Sequence, residues 1–174
     1  MKNVLYFLVS LIVLSCNSQK NIKKDTHLDP TITKSPCPEN GVCNFEILKN
    51  KTFSIESKFG NTYPELSDGT KTILKFEYVR NLIPDTQDSG YRELIYVEID
   101  SNIDALELEG KNLVKAKVSF GRLCFCRGQT GYYPVTEGQL SISKNDDKSY
   151  SFKLNFKVTE VPQVITSIEE SFTL

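Results

Sequence analysis

The 174-residue chain has no tryptophan, one methionine and one histidine. The shortage of histidine excludes most. His27 lies in a polar stretch near the start, so Ser-His-Asp and Cys-His nucleophile systems are missing from the patterned body of the chain, as is any zinc site built on imidazole. No glycine-rich loop runs from a strand into a helix, which removes the usual phosphate cradles. Charge is nearly balanced, 21 basic against 22 acidic residues, leaving no electrostatic footprint for nucleic acid. No apolar run approaches the roughly 20 residues a spanning helix needs, and no internal repeat is visible. The carboxylates offer three pairs for acid–base chemistry: Glu93 with Glu98, Glu107 with Glu109, and Glu169 with Glu170. Each is expected to alternate outward on a strand as solvated surface. The expectation is therefore a non-enzymatic protein with no catalytic residue, no metal ligands and no cofactor.

What is present begins with an export signal. Lys2 supplies a short positive segment and Val4 to Leu14 an apolar run of signal-peptide length, followed by polar Asn17-Ser18-Gln19-Lys20. At its end, Val13-Leu14-Ser15-Cys16 places an aliphatic residue three before the cysteine and a small one directly before it. These residues resemble the lipidation box of bacterial lipoproteins, with Leu14 and Ser15 bulkier than the commonest choices. The resemblance covers residues 1–17 and implies cleavage before Cys16, acylation of its thiol and new amino group, and a membrane anchor durable because several acyl chains are buried. It implies export and attachment to the bacterial envelope, with the outer membrane as the expected site. Residues 16–35 carry Lys20, Lys23, Lys24 and Lys34 with almost no apolar side chains, and are expected to be a flexible tether.

Residues 36–174 are expected to form a single all-β domain. Phe53, Ile55 and Phe59 alternate with polar residues, as do Leu74, Phe76 and Tyr78. Tyr150, Phe152, Leu154, Phe156 and Val158 do so most clearly. Such alternation predicts strands with one face in the core and one in water. Turn signals fall at Lys49-Asn50-Lys51, Asp68-Gly69, Glu109-Gly110-Lys111-Asn112, Thr130-Gly131 and Asn145-Asp146-Asp147. Eight or nine strands at this spacing predict an antiparallel sandwich or barrel. The segment from Val164 to Leu174 fits both a helical stripe and alternation, and its β-branched residues favour a strand. Between residues 113 and 126, Val114, Ala116, Val118 and Phe120 predict an inward face. Continuing that register buries Arg122, so a bulge at Gly121, with Leu123 and Phe125 turned inward, is expected instead.

Setting Cys16 aside, four cysteines remain: Cys37, Cys43, Cys124 and Cys126. In an exported protein they are expected to be disulfides. Cys124 and Cys126 on an extended strand sit about 6.6–6.8 Å apart at Cα, the edge of what a disulfide tolerates. Cross-pairing of Cys37 and Cys43 with Cys124 and Cys126 closes loops of roughly eighty residues and gains about 4.5 kcal/mol each, against about 2.4 and 1.6 for the two local pairs. Cross-pairing, in either register, is therefore expected. Four thiolates at a zinc site, or a redox-active Cys124-Phe125-Cys126, are the sharper alternatives.

The segment from Cys124 to Pro134 is the densest in unusual chemistry. Arg127, Tyr132 and Tyr133 are the candidate binding loop, because Arg and Tyr combine apolar area with directed hydrogen bonds. The whole arrangement (lipidation signal, polar spacer, cysteine-bearing β domain) resembles small uncharacterised bacterial envelope lipoproteins. That resemblance implies no particular site. The expected function is a lipid-anchored lipoprotein whose β domain binds a protein or envelope ligand. The alternative is redox or metal handling through Cys124 and Cys126; an inhibitor of an attacking hydrolase is the weaker third.

Overall fold

The computed structural model describes residue 34, residues 36–146 and residues 148–174. The expected signal peptide, Cys16, His27 and nearly all of the tether lie outside them. Among the described residues nine strands form two antiparallel sheets. One sheet holds β1 (Gly41–Lys58), β2 (Asn61–Arg80), β3 (Tyr91–Asp100), β5 (Ser119–Cys124) and β6 (Gly131–Pro134), in that order. The other holds β4 (Ala105–Glu109), β7 (Glu137–Lys144), β8 (Ser149–Lys157) and β9 (Ser167–Thr173). The architecture is sandwich-like, not a closed barrel.

Alternation built the core as expected along β8 and just past it: Tyr150, Phe152, Leu154, Phe156 and Val158 are all buried, in one cluster with Tyr78, Ile95 and Phe120 of the other sheet. Phe120 and Phe156 meet with ring centroids 6.0 Å apart, while Phe45 reaches Phe152 and Phe172. The C-terminal segment is strand β9, with Ile168 and Phe172 inward.

Two turn signals do something else. Asn50, at φ 56°, and the Asp68-Gly69 pair lie inside one long hairpin, where pairing shifts between Lys49 and Lys51. This bulge bends the hairpin, since an extra residue on one strand raises local twist. Beyond it the β1–β2 arm folds over the outer face of the five-stranded sheet. Phe53 stacks against Tyr96 at 5.4 Å, and the Tyr132 N–H donates to the Thr62 hydroxyl at 2.7 Å. A second cluster of Phe53, Ile73, Leu94 and Tyr96 results. It explains why β3 is apolar on both faces. The arm turns back at Phe59-Gly60, with φ of 54° and 78°. Phe59, expected in the core, is instead at the tip and 92% exposed.

Residues 113–116, expected to begin a strand after the turn signal at 109–112, also depart from expectation. They belong to a 3₁₀ helix, Gly110–Ala116, that carries on from the turn; Leu113 and Ala116 are buried while Val114, expected inward, faces solvent. Lys117 ends the helix at φ 46° and sends its Nζ to Glu98 at 2.9 Å and to the Phe53 carbonyl at 3.0 Å, tying the arm down.

Gly121 marks no bulge. Strands β3 and β5 pair without a shift from Tyr91↔Cys124 to Tyr96↔Ser119. The glycine instead seats the Tyr132 ring, whose Cε1 lies 2.3 Å from where a Cβ would stand. The even-numbered face therefore continues. Arg122 is buried and Phe125 is 82% exposed, the reverse of the expectation.

Candidate functional site

Cross-pairing of the cysteines is overturned. Cys37 is joined to Cys43 and Cys124 to Cys126, with Cα separations of 5.7 and 5.2 Å. Strand order explains this. Cys43 on β1 and Cys124 on β5 lie three strands apart, about 14 Å at ordinary strand spacing, beyond the reach of a disulfide. Local turns meanwhile bring each pair together. Gly41 N–H donates to the Pro38 carbonyl at 3.1 Å, folding Cys37 back on Cys43. Strand β5 ends at Cys124, so Cys126 is not on an extended segment. Thr130 fixes that turn by donating its hydroxyl to the Cys124 carbonyl at 2.6 Å. Non-reducing peptide mapping should therefore yield two local links and none between the 37–43 and 124–126 segments. Reduction should cost about 2.4 and 1.6 kcal/mol for the two bonds, not about 4.5 each.

The candidate loop residues separate. Tyr132 packs on the second cluster under the arm, and burial pushes its hydroxyl pKa up to about 12. Tyr133 turns to the opposite face, against the main core. Only Arg127 remains in solvent, on the turn beside exposed Phe125.

A different constellation gathers at this end of the sandwich. Arg80 closes β2, Tyr91 opens β3 and Arg122 lies on β5, all on the core-facing side of the sheet. The guanidinium carbons of Arg80 and Arg122 lie 4.0 and 5.4 Å from the Tyr91 ring centroid. Arg122, only 8% exposed, donates from Nη1 to Gln129 Oε1 at 2.6 Å and from Nε to the Tyr91 hydroxyl at 3.4 Å. These partners remove the cost that argued against burying it. Arg80 has no such satisfaction: its Nε is buried without a hydrogen-bond partner. Neither arginine forms an ion pair with a described carboxylate.

Behind them sits Glu93, expected on the surface and in fact fully buried. Its carboxylate accepts the Tyr91 hydroxyl, the Val164 N–H at 2.6 Å and the Ile165 N–H at 2.8 Å. Burial first, then the bond to Glu93, raises the Tyr91 pKa, which keeps that hydroxyl a donor. Glu93 thereby fastens the β8–β9 connection to the other sheet. Gln163 completes that loop, taking the Val158 N–H at 2.5 Å and donating to the Ile165 carbonyl at 2.7 Å.

The loop, the strand ends and the disulfide turn enclose a cleft of ≈ 340 Å³, lined by Arg80, Tyr91, Arg122 and Phe125 among others. With two cations on its floor and Phe125 at its lip, this arrangement can hold an anion.

The other carboxylates divide. Glu107 and Glu109 are exposed on β4, as expected. Glu98 is turned in: burial would raise its pKa, but bonds from Thr52, Lys117 and the Phe53 N–H overcome this and lower it. Glu169 pairs with Lys153 at 2.6 Å. Glu170 is buried with Oε1 unpartnered, and burial raises its pKa, partly offset by Lys34. A raised carboxyl pKa favours the protonated folded form, so this group's penalty is absent below its usual range and grows as pH rises through the folded value. Glu170→Gln should accordingly raise Tm at pH 8 and lose that advantage near pH 4, as read by thermal melts at both pH values.

Among the described residues no group of three His, Cys, Asp or Glu is placed to hold a metal ion. Comparison with family models, curated proteins and solved structures finds no match.

Proposed function

We propose that the protein is a lipid-anchored envelope lipoprotein whose β domain is a non-enzymatic binding module, taking its protein or envelope ligand at the cleft beneath the Cys124–Cys126 turn. The observation that carries this reading is the pair of guanidinium groups against Tyr91, one with an unsatisfied buried Nε and neither paired with a carboxylate. Buried charge without a counter-charge is costly, and a ligand anion relieves that cost. Anchoring rests on Cys16 and the residues before it. Metabolic labelling with palmitate should mark the native protein and not the Cys16→Ser variant; label on the variant excludes lipidation there. Ligand binding is tested by hydrogen exchange on the full-length protein mixed with separated lipid and protein fractions of the envelope. Slowed exchange confined to residues 80–91, 122–129 and 162–165 supports the cleft. Unchanged exchange with both fractions, or protection elsewhere, overturns it.

The second reading is a redox role for Cys124-Phe125-Cys126. It is favoured by one observation: these cysteines are bonded to each other, through a two-residue separation, at the lip of the same cleft. A closed loop this short contributes little to stability, which leaves the bond open to use. Equilibration in glutathione buffers followed by thiol trapping separates the two roles. A pair that stays oxidised across the range of those buffers belongs to a structural staple.

A further inference from the structure

The chemistry of the cleft narrows the class of ligand, on the reading that the domain binds at this site. The floor is cationic. Arg80 and Arg122 share one tyrosine ring, so two like charges are held close together, and each planar guanidinium fits the paired oxygens of a carboxylate or phosphate. The buried acid behind them, Glu93, forms no ion pair with either. Its oxygens are occupied by Tyr91, Val164 and Ile165, and it reaches Arg122 only through the Tyr91 hydroxyl. Asp88 lines the outer lip and opposes an incoming anion. The rim also carries two apolar side chains in water. Phe125 is held in water by the two-residue disulfide turn, and Ile83 is more than half exposed on the facing loop. A bare inorganic anion uses only the floor, and a neutral apolar molecule uses only the rim. The larger hollow beside the β7–β8 turn, ≈ 770 Å³ and lined by Lys144, Asn145, Asp146, Lys148, Ser149 and Thr173, has no such division.

We infer that the cleft binds an amphiphilic oxyanion: a carboxylate or phosphate head held by Arg80 and Arg122, with an apolar tail laid against Phe125 and Ile83. Arg80 is the residue that makes the test clean. It is only partly buried and its Nε has no hydrogen-bond partner, so replacing it breaks no Nε bond and gives up its packing on the Tyr91 ring.

The lipidated full-length protein, held in nanodiscs of phosphatidylcholine, is titrated calorimetrically with hexyl phosphate and hexanoate, against empty nanodiscs. Inorganic phosphate and hexanol serve as the separate halves. At least one amphiphile should bind about tenfold or more tighter than either half, the scale of one charge-assisted hydrogen bond. Arg80→Gln should weaken it about tenfold, and Asp88→Asn should tighten it about threefold at low salt. Phosphate and carboxylate sources are told apart by which head binds tighter. Equal affinity for hexanol and the charged probes, or an unchanged affinity in Arg80→Gln, overturns the inference. Should an envelope fraction protect the cleft from exchange while no amphiphile binds, the ligand class falls and the binding site stands.

Discussion

Glu93→Ala should destabilise the protein by about 3–5 kcal/mol, the largest loss expected from any single side chain near the cleft. The substitution removes one acceptor from three donors at once: the Tyr91 hydroxyl and the N–H groups of Val164 and Ile165. Each buried donor left unsatisfied costs about 1–3 kcal/mol, with some recovered where water enters. It also strips Arg122 of the negative charge it reaches through the Tyr91 hydroxyl. Glu93→Gln should be milder, about 1–3 kcal/mol, because one oxygen survives to accept while the new amide faces another donor. Urea denaturation of both variants provides the measurement. An alanine variant within 1 kcal/mol of the native protein would show that the β8–β9 connection is held by other means.

Gly138→Ala should cost about 3 kcal/mol or more, through backbone rather than side-chain contacts. Gly138 sits on β7 at φ 141°, and an added Cβ would stand 2.1 Å from the Asn155 carbonyl oxygen and 2.7 Å from the Phe156 Cα. Both atoms belong to the neighbouring strand, so no rotamer change relieves the clash. Strands β7 and β8 must separate there. Gly90→Ala is the internal control, since nothing lies within 4 Å of its added methyl; it should change stability by less than about 1 kcal/mol, in either direction. Equal losses in the two variants, compared by thermal unfolding, would mean that the close approach at Gly138 is accommodated.

How much of this could be read from the chain depended on whether the deciding contact was local. Alternation along β8 identified its buried face because strand parity is a property of the strand alone. Parity could also have found Glu93. It shares odd numbering with Ile95, Val97 and Ile99, whereas Glu98 has even numbering, so the two could not both point to water. Arg122 was mis-assigned because its cost was reckoned without Gln129 and Tyr91, partners supplied by a turn and by a neighbouring strand. The cysteines failed for a related reason. Entropy favoured the long loops, but the strand order β1-β2-β3-β5 holds the two pairs too far apart, and no pattern in the chain carries that order. The cleft was invisible for the same cause. Its three central residues are single members of three strands, brought level only by pairing. Sequence density had pointed instead at Tyr132 and Tyr133, which alternation sends to opposite faces.

The bent β1–β2 arm has a consequence for the chain while it is still folding. Leu94 and Tyr96 on β3, with Ile73 on β2, form an apolar sheet face on which Phe53 of this arm is seated. Until the arm closes, that face is an open, sticky plane of the kind that recruits other chains. Its cover comes from earlier in the same polypeptide, so the hairpin is made before the surface it must hide. Closure still waits on later residues, since the latches are Lys117 and the Tyr132 amide meeting Phe53 and Thr62. Loss of those latches would therefore show itself first as lowered yield and self-association, with the finished fold suffering less.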